Sequence, residues 1–306
     1  MNRPIYVYGE ALMDCVVEPD GRLRPVRGGS PYNLARAAAR LGARVHFLCP
    51  FSRDRFGQQL KAALAADGAA ALSPDSTLPT ALAVVHLHDG RAEYAFYREG
   101  VADRDVNAAQ LAALLHAREP GILHSGSLAL MPPDHQRTLE LLRQLRQAGW
   151  TISLDLNLRP QVAQDLQAYR AAVAQALTVA DWIKASDEDL VAMGCSADAH
   201  DPERTFEPLL RHGARHVAVT FGAAGACLWV DGSLAQAPAP PVTVRDTVGA
   251  GDTFWGACLA DWASGDQPAQ RITQTLSRAL VAAALNCERT GCDPPWQQEV
   301  EARLRM

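Results

Sequence analysis

The chain of 306 residues is long enough to bury one large core, or one core with a small appendage. Hydrophobic residues make up 48% and charged residues 21%, the balance of an ordinary soluble globular protein. A formal charge of -5 excludes general attraction to nucleic acid or to an anionic membrane, so an anionic substrate must be held by local groups.

Apolar runs of strand length alternate with helical patterns. Strands are predicted at 5–9, 44–49, 121–125, 151–155, 182–185 and 216–221. Helices are predicted at 31–41, 55–66, 132–148, 161–178, 202–212, 250–263 and 268–285. This alternation implies βαβ units and a mostly parallel sheet with helices on both faces. Two segments break the rhythm: 12–27 and 80–98 read as short β pairs without intervening helices. The second is a hairpin, with 82–87 and 93–97 on either side of Asp89-Gly90. The two pieces can combine into one small sheet projecting from the main body. No repeat or long linker appears, so residues 1–306 read as a single domain. Seven scattered cysteines without a C-x-x-C pair predict reduced thiols and a cytoplasmic location. Met1-Asn2-Arg3-Pro4 leads straight into the first strand without a secretory pattern, and no stretch is apolar enough to span a bilayer.

Candidate chemistry begins at Asp14, a lone acid in an apolar strand: either a satisfied strand-end carboxylate or a sugar-binding group. In Gly28-Gly29-Ser30-Pro31-Tyr32-Asn33, Ser30 suits a helix N-cap and Pro31 the first helical position. The segment is either a turn into a capped helix or a place where glycines admit a polyhydroxyl ligand to Asn33. Asp155-Leu156-Asn157-Leu158-Arg159-Pro160 follows the carboxyl end of a strand, where open α/β sheets bind ligands. Arg159 there can touch phosphate, or the polarity is that of an ordinary loop. Lys184-Ala185-Ser186-Asp187-Glu188-Asp189 opens a helix. It is a capping cluster, or a lysine near phosphate with acids ordering Mg²⁺ through water. Thr220-Phe221-Gly222-Ala223-Ala224-Gly225 is a turn signal just past a strand.

The most informative segment is Asp246-Thr247-Val248-Gly249-Ala250-Gly251-Asp252-Thr253-Phe254-Trp255-Gly256-Ala257. Small residues lead directly into an apolar helix, and a helix N-terminus entered through glycines is a ready anion site. Asp252 stands beside that site. Phosphoryl transfer explains the pairing, with N–H groups neutralising the moving phosphoryl group and the carboxylate taking the proton of the attacking hydroxyl. The helix start is expected to lower the pKa of Asp252, leaving it charged but weakly basic. The absence of G-x-x-x-x-G-K-[ST], G-x-G-x-x-G in a first βαβ unit, H-E-x-x-H and G-x-S-x-G argues against P-loop, dinucleotide, zincin and α/β-hydrolase chemistry.

Over essentially its whole length, and in the same motif order, the chain resembles the PfkB, or ribokinase-like, carbohydrate kinases. The resemblance rests on residues 246–257, on Gly28-Gly29-Ser30-Pro31-Tyr32-Asn33-Leu34-Ala35 with Gly42, and on 155–159, 186–189 and 220–225. It implies a ribokinase-like three-layer α/β/α sandwich, a small β-sheet lid at about 12–27 and 80–103, and ATP-dependent phosphorylation of a primary sugar hydroxyl. Asp252 would then be the general base, with Gly249, Ala250 and Gly251 forming an anion hole. Asp14, Gly28, Gly29, Asn33, Arg98 and Arg159 would bind sugar. Asn157, Lys184, Ser186, Thr220, Gly222 and Gly225 would line the nucleotide site, with Asp189 ordering Mg²⁺ through water. Asp246, Val248, Asn286, Arg289 and Gly291 match positions that hold a monovalent cation, K⁺, in many members. Ser186 and Asp189 depart from the commoner Asn and Glu, and Ser52 from a glycine.

Phe96-Tyr97-Arg98 with Ala102-Asp103 resembles fructokinases and 2-keto-3-deoxygluconate kinases. Gly9-Glu10-Ala11-Leu12-Met13-Asp14 and His124-Ser125-Gly126-Ser127-Leu128 look more like fructokinase. D-fructose is therefore the expected acceptor, with 2-keto-3-deoxygluconate, ribose or a nucleoside as alternatives, and a non-catalytic sugar sensor as the different class. A homodimer through the lid is the expected assembly.

Overall fold

The computed structural model describes residues 3–88, 91–264 and 269–306. The predicted Asp89-Gly90 turn, Met1, Asn2 and residue 268 of the last predicted helix lie outside the described residues. The first half comprises β1 (Ile5–Val7), β2 (Leu12–Val17), β3 (Leu23–Gly28), α1 (Ser30–Arg40), β4 (Val45–Phe47), α2 (Arg55–Ala66), β5 (Ala70–Ala71), β6 (Ala81–His88), β7 (Arg91–Tyr97), α3 (Ala108–His116), β8 (Ile122–Gly126) and α4 (His135–Gln147). Then follow β9 (Thr151–Asp155), α5 (Leu166–Leu177), β10 (Trp182–Ser186), α6 (Asp187–Ala192), α7 (Pro202–Leu210), β11 (His216–Thr220), β12 (Ala226–Val230), β13 (Ser233–Ala237), α8 (Ala250–Ser264), α9 (Ile272–Cys287) and α10 (Gln297–Leu304).

Among the described residues the main sheet runs β13-β12-β11-β10-β9-β8-β1-β4-β5. It is parallel from β11 to β5; at the other edge β12 pairs antiparallel with both β11 and β13, so β12 alone runs against the rest. Its strands read as apolar runs because helices cover both faces. Ile5, Val7, Ile122, Ile152, Ile183 and Val217 are fully buried. This is the ribokinase-like α/β architecture that the sequence motifs imply, and the six predicted strands are β1, β4 and β8 to β11.

The edge hairpin β12–β13 is absent from the sequence reading. Its turn is Asp231-Gly232, with φ of 47° and 90°, the left-handed pair that a two-residue hairpin demands. Helix α5 begins later than the predicted 161, because a 3₁₀ turn occupies Pro160–Val162 and Asp165 caps α5 through Gln167 and Ala168. The helices α3 and α10 also escaped the pattern; both are short, and α10 buries only Val300.

The helix-free segments form a second sheet of order β3-β2-β6-β7. β2 pairs antiparallel with β3 and parallel with β6, so two excursions from the main body meet at their centre. Leu12, Ala81, Ala83, Val101 and Leu128 form a separate apolar cluster that seats this sheet on the segment after β8. The cysteines are all free, and among the described residues no helix is long and apolar enough to cross a membrane.

Candidate active site

Parallel strands β9, β10 and β11 end at Asp155, Ser186 and Thr220, and the N-terminus of α8 stands against these ends. A cavity of about 570 Å³ opens there. Asp14, Gly29 and Asn33 line one side; Asn157, Arg159, Lys184 and Ser186 line another; Gly249, Gly251 and Asp252 close the third. A second cavity of about 430 Å³ shares Thr220, Gly222, Thr247 and Gly251 with the first. Its remaining walls, among them Pro240, Val242, Phe254, Leu280 and Ala283, are apolar. A polar chamber and an apolar slot therefore meet at the start of α8.

Asp252, in the first turn of α8 and 6% exposed, is held from α1. Ser30 Oγ donates to its Oδ1 at 2.7 Å and Asn33 Nδ2 to its Oδ2 at 2.9 Å, with Asn157 Nδ2 at 3.4 Å. This corrects two expectations. Ser30 is not the N-cap of α1: Gly29 takes that position without a side-chain bond, and the Ser30 hydroxyl goes to Asp252 instead. Nor is the Asp252 carboxyl lowered. Burial pushes it above the ordinary aspartate range, outweighing the Asn33 and Ser30 hydrogen bonds and the nearby Lys184 and Arg159 charges. A buried carboxylate with a raised pKa is a stronger base than the helix start alone would leave.

Lys184 is 4% exposed and bonds both oxygens of Asp155 at 2.9 Å. Burial works against its charge, but the Asp155 carboxylate prevails and holds the ammonium above the ordinary lysine range. A Cβ at Gly251 would lie 3.0 Å from Lys184 Nζ, so this charge sits directly behind the backbone that opens α8. Gly249, at φ 76°, backs onto Cys292, whose Sγ would stand 2.3 Å from an added Cβ. On the anion-hole reading of this segment, Gly249→Ala is expected to displace the loop and lower kcat by about 10²–10³-fold, the cost of losing one such donor. Steady-state kinetics at saturating substrates check it; a loss under about threefold would show that the loop tolerates the shift.

Burial raises Asp14 from 3.8 to about 7, against the Arg159 charge and with help from Asp252 and Glu10. Its neutral form is favoured by the fold. The stabilising contribution is full below its unfolded pKa and disappears as pH rises through about 7. Asp14→Asn should leave the ligand-free protein more stable than wild type near pH 8, with the advantage fading toward about pH 4. Thermal unfolding across that range tests this, and an advantage independent of pH would contradict it.

Residues 2–299 match the pfkB family carbohydrate kinases. The chain belongs to that family. It is 34% identical over 304 residues to a fructokinase of Rhizobium leguminosarum bv. trifolii, across 97% of this chain and 89% of the relative. The solved fructokinase with bound ATP from Xylella fastidiosa superposes with a TM-score of 0.86 at 28% identity, across 100% and 99% of the two chains. The fructokinase of Vibrio cholerae O395, solved in a fructose, ADP and calcium ion bound form, gives 0.83 at 25% identity, across 99% and 98%. The pfkB chain is accordingly an ATP-dependent sugar kinase.

The remaining predicted positions of this pfkB kinase divide. Thr220, Gly222 and Gly225 line the apolar slot. Asp189 lines the chamber, but its carboxylate accepts from Leu158 N at 2.6 Å and Ser186 N at 2.8 Å, closing a capping box on α6. Asp187 and Glu188 beside it also face the chamber and suit a cation that keeps its own waters. Asp246 accepts from Val248 N at 3.0 Å and Gly291 N at 2.8 Å, and Val248 O accepts from Asn286 Nδ2 at 2.8 Å. Arg289 instead donates to Asp293 O and Pro294 O and pairs with Glu299.

Arg98 and Gly28 are not among the cavity walls. Arg98 is buried against Asp103 at 2.9 Å and Asp134 at 3.5 Å. Sequence reasoning did not single out Ser30 as a partner of Asp252, nor Glu10 and Ser127 as chamber walls. It also missed the buried ion pairs behind the site. Arg36, 1% exposed, pairs with Asp67 and donates to Cys292 O at 3.0 Å; Arg40 pairs with Asp67 and Asp293. These tie α1, which holds Asp252, to the loop that backs Gly249.

Proposed function

We propose that this kinase phosphorylates the primary hydroxyl of D-fructose, giving fructose 6-phosphate, with Asp252 as general base. The observation that carries the reading is the Asp252 carboxylate, fixed by Ser30 and Asn33 where the polar chamber meets the apolar slot. Sugar occupies the chamber against Asp14, Gly29 and Asn33. The Asn33 Oδ1 atom, buried without a hydrogen-bond partner among the described residues, is free to accept from a sugar hydroxyl. The base of ATP occupies the apolar slot. Asp252 takes the proton of the attacking hydroxyl, and the N–H groups of Gly249 and Gly251, joined by that of Ala250 as it leaves Thr247 O (3.2 Å), with the Lys184 charge behind them, stabilise the transferring phosphoryl group. Mg²⁺, when bound through water by Asp187, Glu188 and Asp189, supplies further neutralisation of the phosphates. Asp14, Tyr94 and Phe96 of the small sheet line the chamber, which supports that sheet as a lid.

A neutral sugar fits better than a keto acid. A substrate carboxylate needs a cation to itself, and Arg98 is committed to Asp103 and Asp134. Lys184 is committed to Asp155, while Arg159 donates to Asn157 Oδ1 at 2.6 Å and lies over the Tyr94 ring. The test is a coupled ADP-release assay with Mg-ATP across fructose, 2-keto-3-deoxygluconate, ribose and adenosine, with and without K⁺. Strong turnover on fructose alone is expected. Preference for another acceptor would overturn the specificity, and binding without turnover on all four would turn the reading toward a sugar sensor.

A further inference from the structure

The chamber extends past Asp14 to a wall that neither the proposed base nor the anion hole uses. Glu10, in the connection from β1 to β2, is 1% exposed and lines the chamber, and its Oε2 has no hydrogen-bond partner among the described residues. Ser127, adjacent to Glu10, is 2% exposed and also lines the chamber. Its φ of 52° is a left-handed conformation that a serine adopts only when its surroundings impose it. Such strain gathers where a side chain is held toward a ligand. Leu12, Phe96 and Leu128 complete this end of the chamber with apolar surface. An open carboxylate oxygen in such a wall is costly unless something pairs with it when the site is filled.

We propose that Glu10 and Ser127 hold the acceptor hydroxyls remote from the transferred one and so select a neutral sugar over a sugar acid. The proposal rests on the sugar-kinase site described above and names a part of it that the base and the phosphate groups do not touch. A carboxylate oxygen accepts from a sugar hydroxyl and repels a substrate carboxylate, so one residue both attracts and excludes. Burial raises the Glu10 carboxyl above the ordinary glutamate range, and the nearby Arg98 charge opposes this and favours the carboxylate.

The experiment compares wild type, Glu10→Gln and Ser127→Gly on fructose and 2-keto-3-deoxygluconate at saturating ATP. Glycine keeps the left-handed backbone at 127 and removes the hydroxymethyl group. In Glu10→Gln, KM for fructose is expected to rise roughly 10- to 100-fold, as for loss of a hydrogen bond to a charged group. KM for ATP should stay put, and the ratio of keto-acid to fructose kcat/KM should rise. In Ser127→Gly, KM for fructose rises without loss of thermal stability. A merely structural role predicts a lower melting temperature with KM for fructose within about twofold of wild type, and that result overturns the proposal. If Glu10→Gln does not fold, Ser127→Gly decides by the same criterion. Wild-type enzyme inactive on every sugar would instead remove the function on which the proposal stands, an outcome distinct from active enzyme with unmoved KM values.

Discussion

Asp252→Asn is expected to lower kcat by about 10²–10⁴-fold while KM for sugar and for ATP changes little. The substitution preserves shape: its oxygen can accept from Asn33 Nδ2 as before, while its new amide donates to the Ser30 hydroxyl, which accepts as well as donates. On the proposed mechanism, what is lost is the base. Near-wild-type turnover would remove Asp252 from that role. The same enzyme pair carries a pH signature. The proposed base acts as the deprotonated carboxylate, so kcat is expected to rise with pH through the Asp252 pKa, which burial sets above the ordinary 3.8. An acid limb in wild type that vanishes in the asparagine variant is the expected pattern; an identical limb in both would assign it to another group.

The second large effect is on stability. Arg36→Met leaves Asp67, 4% exposed, with Arg40 alone and removes the donor to Cys292 O. Breaking a buried pair from one side leaves uncompensated charge, and a loss of about 3 kcal/mol is expected in urea unfolding. Because Cys292 backs Gly249, kcat should fall as well, at substrate levels that saturate both sites. A loss below about 1 kcal/mol, typical of an exposed pair, would show that Arg40 by itself satisfies Asp67.

The parallel strands were legible because burial on both faces writes them as uninterrupted apolar runs, Ile152 and Leu154 in β9 being examples. The segment proposed as an anion hole was legible because its features are contiguous: three small residues, one acid, one helix. The partners of Asp252 were not, since Ser30 lies 222 residues away and carries a local signal for an N-cap. The same distance explains the wrong sign expected for the Asp252 pKa. A helix start is visible in sequence, whereas the desolvation imposed by α1 is a property of packing. Arg36 and Asp67 are 31 residues apart, and nothing local in the sequence pairs them. The β12–β13 hairpin is a different case, because its Asp231-Gly232 signal was present and legible. Whether Arg98 touches sugar could not be read from the Phe96-Tyr97-Arg98 motif, which says nothing of Asp134.

The small sheet is joined to the main body at four places, because its central strands β2 and β6 come from separate excursions of the chain. A sheet tethered in this way cannot swing like a flap on one hinge; it can only tilt or slide by a small amount. Two of the tethers, the connection from β1 to β2 and the junction of β3 with α1, carry Glu10 and Gly29, which are themselves chamber walls. Any tilt of the sheet therefore resizes the chamber from its attachment points. In the proposed role of this sheet as a lid over a sugar, filling the chamber and moving its roof are one mechanical event, and a sugar of the wrong length is sensed as a roof that does not settle.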